Sequence, residues 1–176
     1  SEDELQAAPL LSVSLSAWTK ARTTTGSVFG VTYDVSDACR TCLTGVRQTS
    51  PLVVDGNAML DVNKHRVAHT TDKNLLVLDT DVEKLLAANV TGANFWPATA
   101  KYKSGVIGEI RWQQAVIENV LPPMAASTGL DETLKCPTCG RGRQRAVGSG
   151  RDLHITYRRE DLKNLCDFNL SWEWFG

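Results

Sequence analysis

Short apolar runs alternate with polar stretches along the chain, and two groups of them carry the same order of signals. In the first, Leu75-Leu76-Val77-Leu78 has the length and branching of a strand. Asp79 to Asp81 then caps a helix with Val82, Leu85 and Leu86 on its apolar stripe. Asn89 ends it, because Asn tolerates the left-handed backbone required just past a helix end. Val90 to Trp96 runs on as a second strand. In the second group Ile155-Thr156-Tyr157 is the strand, Glu160-Asp161 opens a helix with Leu162, Leu165 and Cys166 on its stripe, and Asn169 closes it before Leu170 to Phe175. A shift of 80 residues superposes Asp81 on Asp161, Asn89 on Asn169, Val90 on Leu170, Thr91 on Ser171 and Phe95 on Phe175. The pattern predicts an α+β protein of two pseudo-repeated strand-helix-strand halves, 1–122 and 123–176, within one compact structural domain.

The remaining segments are connective or ambiguous. Ser12 to Trp18 alternates as a strand does, Thr23 to Ser27 is a turn, and Val28 to Tyr33 reads as another strand. Pro51 to Gly56 is a strand running into a turn. Val106 to Val120 fits neither period cleanly and stays open between a helix and a long edge strand pair. Pro122-Pro123 ends it, and a flexible linker is expected from there to Leu134.

The composition adds exclusions. With 42% hydrophobic and 22% charged residues, 13 Gly and 6 Pro, the chain of 176 residues is neither collagen-like nor disordered by composition. Nineteen basic residues against 20 acidic ones leave a formal charge of -1, so no global field draws it to nucleic acid or anionic lipid. No window approaches the roughly 18 apolar residues of a membrane span, and Ser1-Glu2-Asp3-Glu4 lacks the basic start of a signal peptide.

Four of the five cysteines form two C-x-x-C pairs, Cys39/Cys42 and Cys136/Cys139, with Cys166 left over. That arrangement favours a reducing, cytoplasmic setting and a metal over a disulfide framework. A C-x-x-C turn aims two thiolates at one ion while its own backbone N–H groups donate to the sulfurs, so two turns supply a closed tetrahedral site for one structural Zn2+. Pro137 and Gly140 make the second turn the more typical knuckle; in the first, Gly45 comes three residues after Cys42. A redox pair would stand at a helix N-terminus after a strand, whereas both pairs here precede Gly and polar residues.

Other chemistry is missing from the linear pattern. His65 and His69 are too far from Cys42 for a finger module of roughly 12 intervening residues, and Asn63 to Arg66 reads as solvated surface. A zinc deaminase needs H-x-E and then P-C-x-x-C, but Pro137 follows Cys136. The phosphate-cradling, nucleophile-elbow and zincin motifs are absent. His154 falls on the outward side of a strand pattern, and Cys166 reads as a small core residue. Asn89-Val90-Thr91 and Asn169-Leu170-Ser171 match the glycosylation sequon, although helix capping accounts for both.

Two knuckles, the second written Cys136-Pro137-Thr138-Cys139-Gly140, each followed by the strand-helix-strand pattern, resemble the bacterial double-CXXCG family over roughly residues 39–176. Cys39, Cys42, Cys136 and Cys139 match its paired cysteines and Gly140 its second glycine, while Leu43 stands where the first glycine is expected. The resemblance implies an immunity protein that binds and neutralises a delivered bacterial toxin. Trp172 and Trp174, alternating about Glu173, are candidate anchors for such a protein partner, with core packing as the plainer role. Trp96 and Trp112 are less informative. The alternative is a nucleic-acid-binding zinc ribbon in which Arg141, Arg143, Arg145 and Arg151, clustered after the second knuckle, contact phosphates. No membrane role is expected.

Overall fold

The computed structural model describes residues 33–56, 65–70, 74–128, 130–131, 135–141, 143–146, 154–172 and 174–175. The strands expected at Ser12 to Trp18 and Val28 to Tyr33 fall outside these, apart from Tyr33. Among the described residues the protein is a mixed α+β structure made mostly of strands, with one α-helix. No described helix is long and apolar enough to cross a membrane.

In chain order the strands are β1 (Tyr33–Asp34), β2 (Arg47–Gln48), β3 (Val53–Asp55), β4 (Val67–His69) and β5 (Leu75–Leu78). Helix α1 (Asp79–Ala87) comes next, before β6 (Ala93–Lys101) and β7 (Ile107–Ile117). The chain continues through β8 (Ala126–Thr128), β9 (Leu130–Asp131), β10 (Arg143–Ala146), β11 (His154–Thr156) and β12 (Trp174–Phe175). A five-stranded sheet of order β3-β6-β7-β5-β4 forms the centre, with β3 parallel to β6 and the other pairs antiparallel.

Central β7 is the segment whose periodicity was ambiguous, and its position explains why. Trp112, Gln114 and Ala115 are all buried because both sheet faces are covered at this point, so simple in/out alternation disappears. It is an interior strand and not the edge pair that its sequence also allowed. One face packs Leu52, Val54, Ala68, Leu76, Ala98, Ala100 and Trp112; the other packs Val77 and Ala115 against Val82 of α1, with Leu85 and Phe95 beside them.

Helix α1 starts where expected, but no side chain caps it: Leu78 occupies the N-cap position with extended backbone. Asp81 is engaged otherwise, in a bidentate ion pair with Arg66 and a contact of 3.3 Å to Lys84. The C-terminal end follows the Asn rule. Asn89 has φ 54, its N–H donates to Leu86 O and the Val90 N–H to Leu85 O, the paired bonds of a left-handed helix stop. Val82 is buried, whereas Leu86 at the stripe's margin is 58% exposed.

The second strand-helix-strand unit is not reproduced. Arg159–Asp161 forms one 3-10 turn with nothing buried, and Leu162 and Cys166 are only half-buried. Short polar side chains capture the backbone there: the Asn169 side chain accepts from the Cys166 N–H at 3.1 Å and donates to the Cys166 carbonyl at 2.6 Å. Nor is the stretch before Leu134 a structureless linker, since β8 pairs with β11 and β9 with β10.

Candidate metal centre

Each cysteine pair lies in the turn between two antiparallel strands, the first between β1 and β2, the second between β9 and β10. The knuckles share one backbone design. The Cys39 N–H donates to Thr44 O at 2.9 Å and the Leu43 N–H to Cys39 O at 2.7 Å; Cys136 pairs with Arg141 O at 2.6 Å and Gly140 with Cys136 O at 2.9 Å. Gly140 has φ 69 and Leu43 has φ 60. The departure from the C-x-x-C-G pattern is therefore one of residue type and not of conformation, Leu43 holding the left-handed geometry that Gly140 adopts freely.

The two turns face each other. Cys39 Sγ lies 3.8 Å from Cys136 Sγ, Cys42 Sγ lies 3.5 Å from Cys139 Sγ, and all four sulfurs fall within 4.8 Å of one another. A tetrahedron with metal–sulfur bonds of about 2.3 Å has edges of about 3.8 Å, so four thiolates at these positions can hold a metal ion. Thr41 and Thr138, each between its pair of cysteines, meet at 2.7 Å through their hydroxyls. These facing residues are separated by 97 positions, as are Cys39 from Cys136 and Cys42 from Cys139. The correspondence in the structure is thus knuckle to knuckle, at a shift different from the one suggested by the apolar runs.

The electrostatics suit anionic sulfur. Backbone N–H groups of Cys42 and Thr41 hold the Cys39 thiol below its ordinary range, and those of Cys139 and Thr138 lower Cys136 to about 6. Cys139 moves the other way, pushed up to about 12 by burial and by the neighbouring sulfurs that bear charge first. Thiolates packed this closely repel one another, and a divalent ion held among them would offset that charge.

The other candidate residues are dispersed. His65 is exposed, while His69 lies on β4 with its Nδ1 3.0 Å from Thr70 O. Arg141 has its guanidinium 3.7 Å over the Trp172 ring, and its Nε donates to Trp172 O at 3.2 Å, so these two candidates occupy each other. Arg143 lies on β10 opposite Trp174 of β12, and Arg145 opposite Asp131; the side chains of Arg143, Arg145 and Trp174 lie outside what the structure describes, as does all of Arg151.

Sequence reasoning missed the attachments between knuckles and sheet. Gln48 of β2 and the buried Gln114 of β7 exchange two amide hydrogen bonds of 2.7 and 2.6 Å, and Gln114 also donates to Asn74 at 3.2 Å. On the other side, the Thr91 N–H and hydroxyl both donate to Asp167 at 2.7 Å, while Leu121 N–H donates to Leu170 O at 2.8 Å. These partners have no common local motif. The repeated Cys-x-Thr-Cys spacing was the available signal for the Thr41–Thr138 contact. In comparisons with family models, curated proteins and solved structures, the chain matches none.

Proposed function

We propose that this chain is a non-enzymatic protein-binding module stapled by one structural Zn2+, an immunity-type protein that binds and neutralises a cognate bacterial toxin in the cytoplasm. The observation that carries the reading is the four-sulfur cluster. With all ligands from cysteine, a tetrahedral ion has no open position for water or substrate, which suits a scaffold role over Lewis-acid catalysis. The left-handed backbone at Leu43 supports the resemblance to the double-CXXCG family, because the first knuckle has the shape that the missing glycine would confer.

A second reading, nucleic-acid binding, retains one specific support. Arg143 and Arg145 both lie on β10, the strand that follows the second knuckle in the chain. Arg141 is a poorer phosphate contact, since Trp172 already engages its guanidinium. An affinity pull-down from native lysate, with and without nuclease, separates the readings. One stoichiometric protein surviving nuclease is the expected result; recovery of nucleic acid that is lost as salt rises would overturn it.

A further inference from the structure

The β6–β7 hairpin ends in a compact apolar and basic tip. Lys101 pairs with Ile107, after which the Tyr102 N–H donates to Val106 O at 2.9 Å and the Gly105 N–H to Tyr102 O at 2.8 Å. Gly105 has φ 83, closing the turn around Lys103 and Ser104. Val106 is 60% exposed, Ile107 58% and Tyr102 39%, although all three sit in a well-paired hairpin. The Tyr102 ring packs on Gly56, where a Cβ would overlap it, so the tip is braced from the β3 side.

Its turn is basic, with acids only at its base. Lys101 and Lys103 are exposed and make no ion pair with any described residue, and residues 101–108 include no acid. The acids nearest to it are half-buried Asp55, in register with Lys101 on β3, and exposed Glu109, two positions behind Ile107 on β7.

We propose that this tip docks the protein reversibly on an anionic bilayer surface, Val106 and Ile107 entering the acyl boundary while Lys101 and Lys103 meet the headgroup charge. The order of groups suits that medium. Branched aliphatic side chains lie at a convex turn, an amphipathic Tyr lies beside them, Lys103 stands in the turn with Lys101 at its base, and Asp55 and Glu109 are set back from the turn. A convex pair of side chains needs a pocket in a protein partner, whereas fluid lipid closes around it. The inference goes beyond the toxin-binding reading and stands independently of it.

The test floats the metal-loaded full chain with vesicles of phosphatidylcholine alone or containing about 30% phosphatidylglycerol. The expected result is binding to the anionic vesicles only, weakened by salt, and reduced about tenfold both by Val106→Ser with Ile107→Ser and by Lys101→Ser with Lys103→Ser. Leu86→Ser, which removes an equally exposed apolar side chain from α1, should bind like wild type. Circular dichroism and metal content establish that each variant is folded. Absence of flotation with anionic vesicles overturns the proposal, as does undiminished binding after Val106 and Ile107 are changed. Absence of flotation together with cross-linking from position 106 to an acidic pocket of a protein partner assigns the tip to that partner instead.

Discussion

Leu43 and Gly140 occupy equivalent turns at φ 60 and 69, one with a side chain and one without. An L-residue in this region carries a steric cost of about 1–2 kcal/mol, partly offset in a comparison with glycine by the greater freedom that glycine loses on folding. Leu43→Gly should therefore leave the metal bound and raise stability by up to about 1 kcal/mol in denaturant melts. Gly140→Ala should lower it by about 1 kcal/mol for backbone reasons alone, since a Cβ there meets nothing within 4 Å. Gly92 combines both constraints: φ is 85, and a Cβ would overlap the Phe168 carbonyl and Cys166. Gly92→Ala should consequently destabilise more than Gly140→Ala and release the segment around Phe168, read as faster amide exchange there.

Between elements, carboxylates and amides make the joins. Asp167 is held below the usual carboxylate range by the backbone N–H and hydroxyl of Thr91, and Asp81 is held there by Arg66 and then Lys84. A carboxyl lowered in the folded protein contributes stability above its unfolded value of about 4, and that contribution disappears as pH falls through the folded value. Thermal midpoints should fall below about pH 4, and Asp167→Asn should be less stable than wild type at neutral pH with a shallower acid-side loss. The Gln48–Gln114 pair is buried on the β7 side, so Gln114→Leu removes the donor to the side-chain oxygens of Gln48 and Asn74. A loss of about 1–3 kcal/mol is expected in chemical denaturation.

At the scale of the whole molecule, the cysteine cluster closes a ring. The first knuckle's arm reaches the sheet through Gln48, and the second's through Arg141, Trp172 and the segment 164–172 lying on Thr91, Gly92 and Asn119. An ion shared by sulfurs 97 residues apart would remove much loop entropy from the unfolded chain. Cys136→Ser or Cys42→Ser should release the metal and lower the melting temperature by about 10 °C or more, with exchange rising in 164–172 as well as in the knuckles. Cys166→Ala should retain the metal, because its half-buried thiol lies outside the cluster. Unchanged melting after metal removal would contradict this account.

The sequence by itself determined what short-range chemistry controls. A C-x-x-C turn aims its own sulfurs, four branched or aliphatic residues in a row make β5, and Asn89 stops α1 because Asn accepts a positive φ. The tertiary structure decided everything that rests on distant partners. Residues 162–169 have a helical stripe yet give their polar groups to Asn169 and Thr91 instead, and β7 hides its period because both faces of the sheet are covered where it crosses the core. Arg141 and Trp172 were separate candidates until the fold stacked one on the other. Periodicity and capping act within a few residues, whereas these choices depend on groups that only folding brings together.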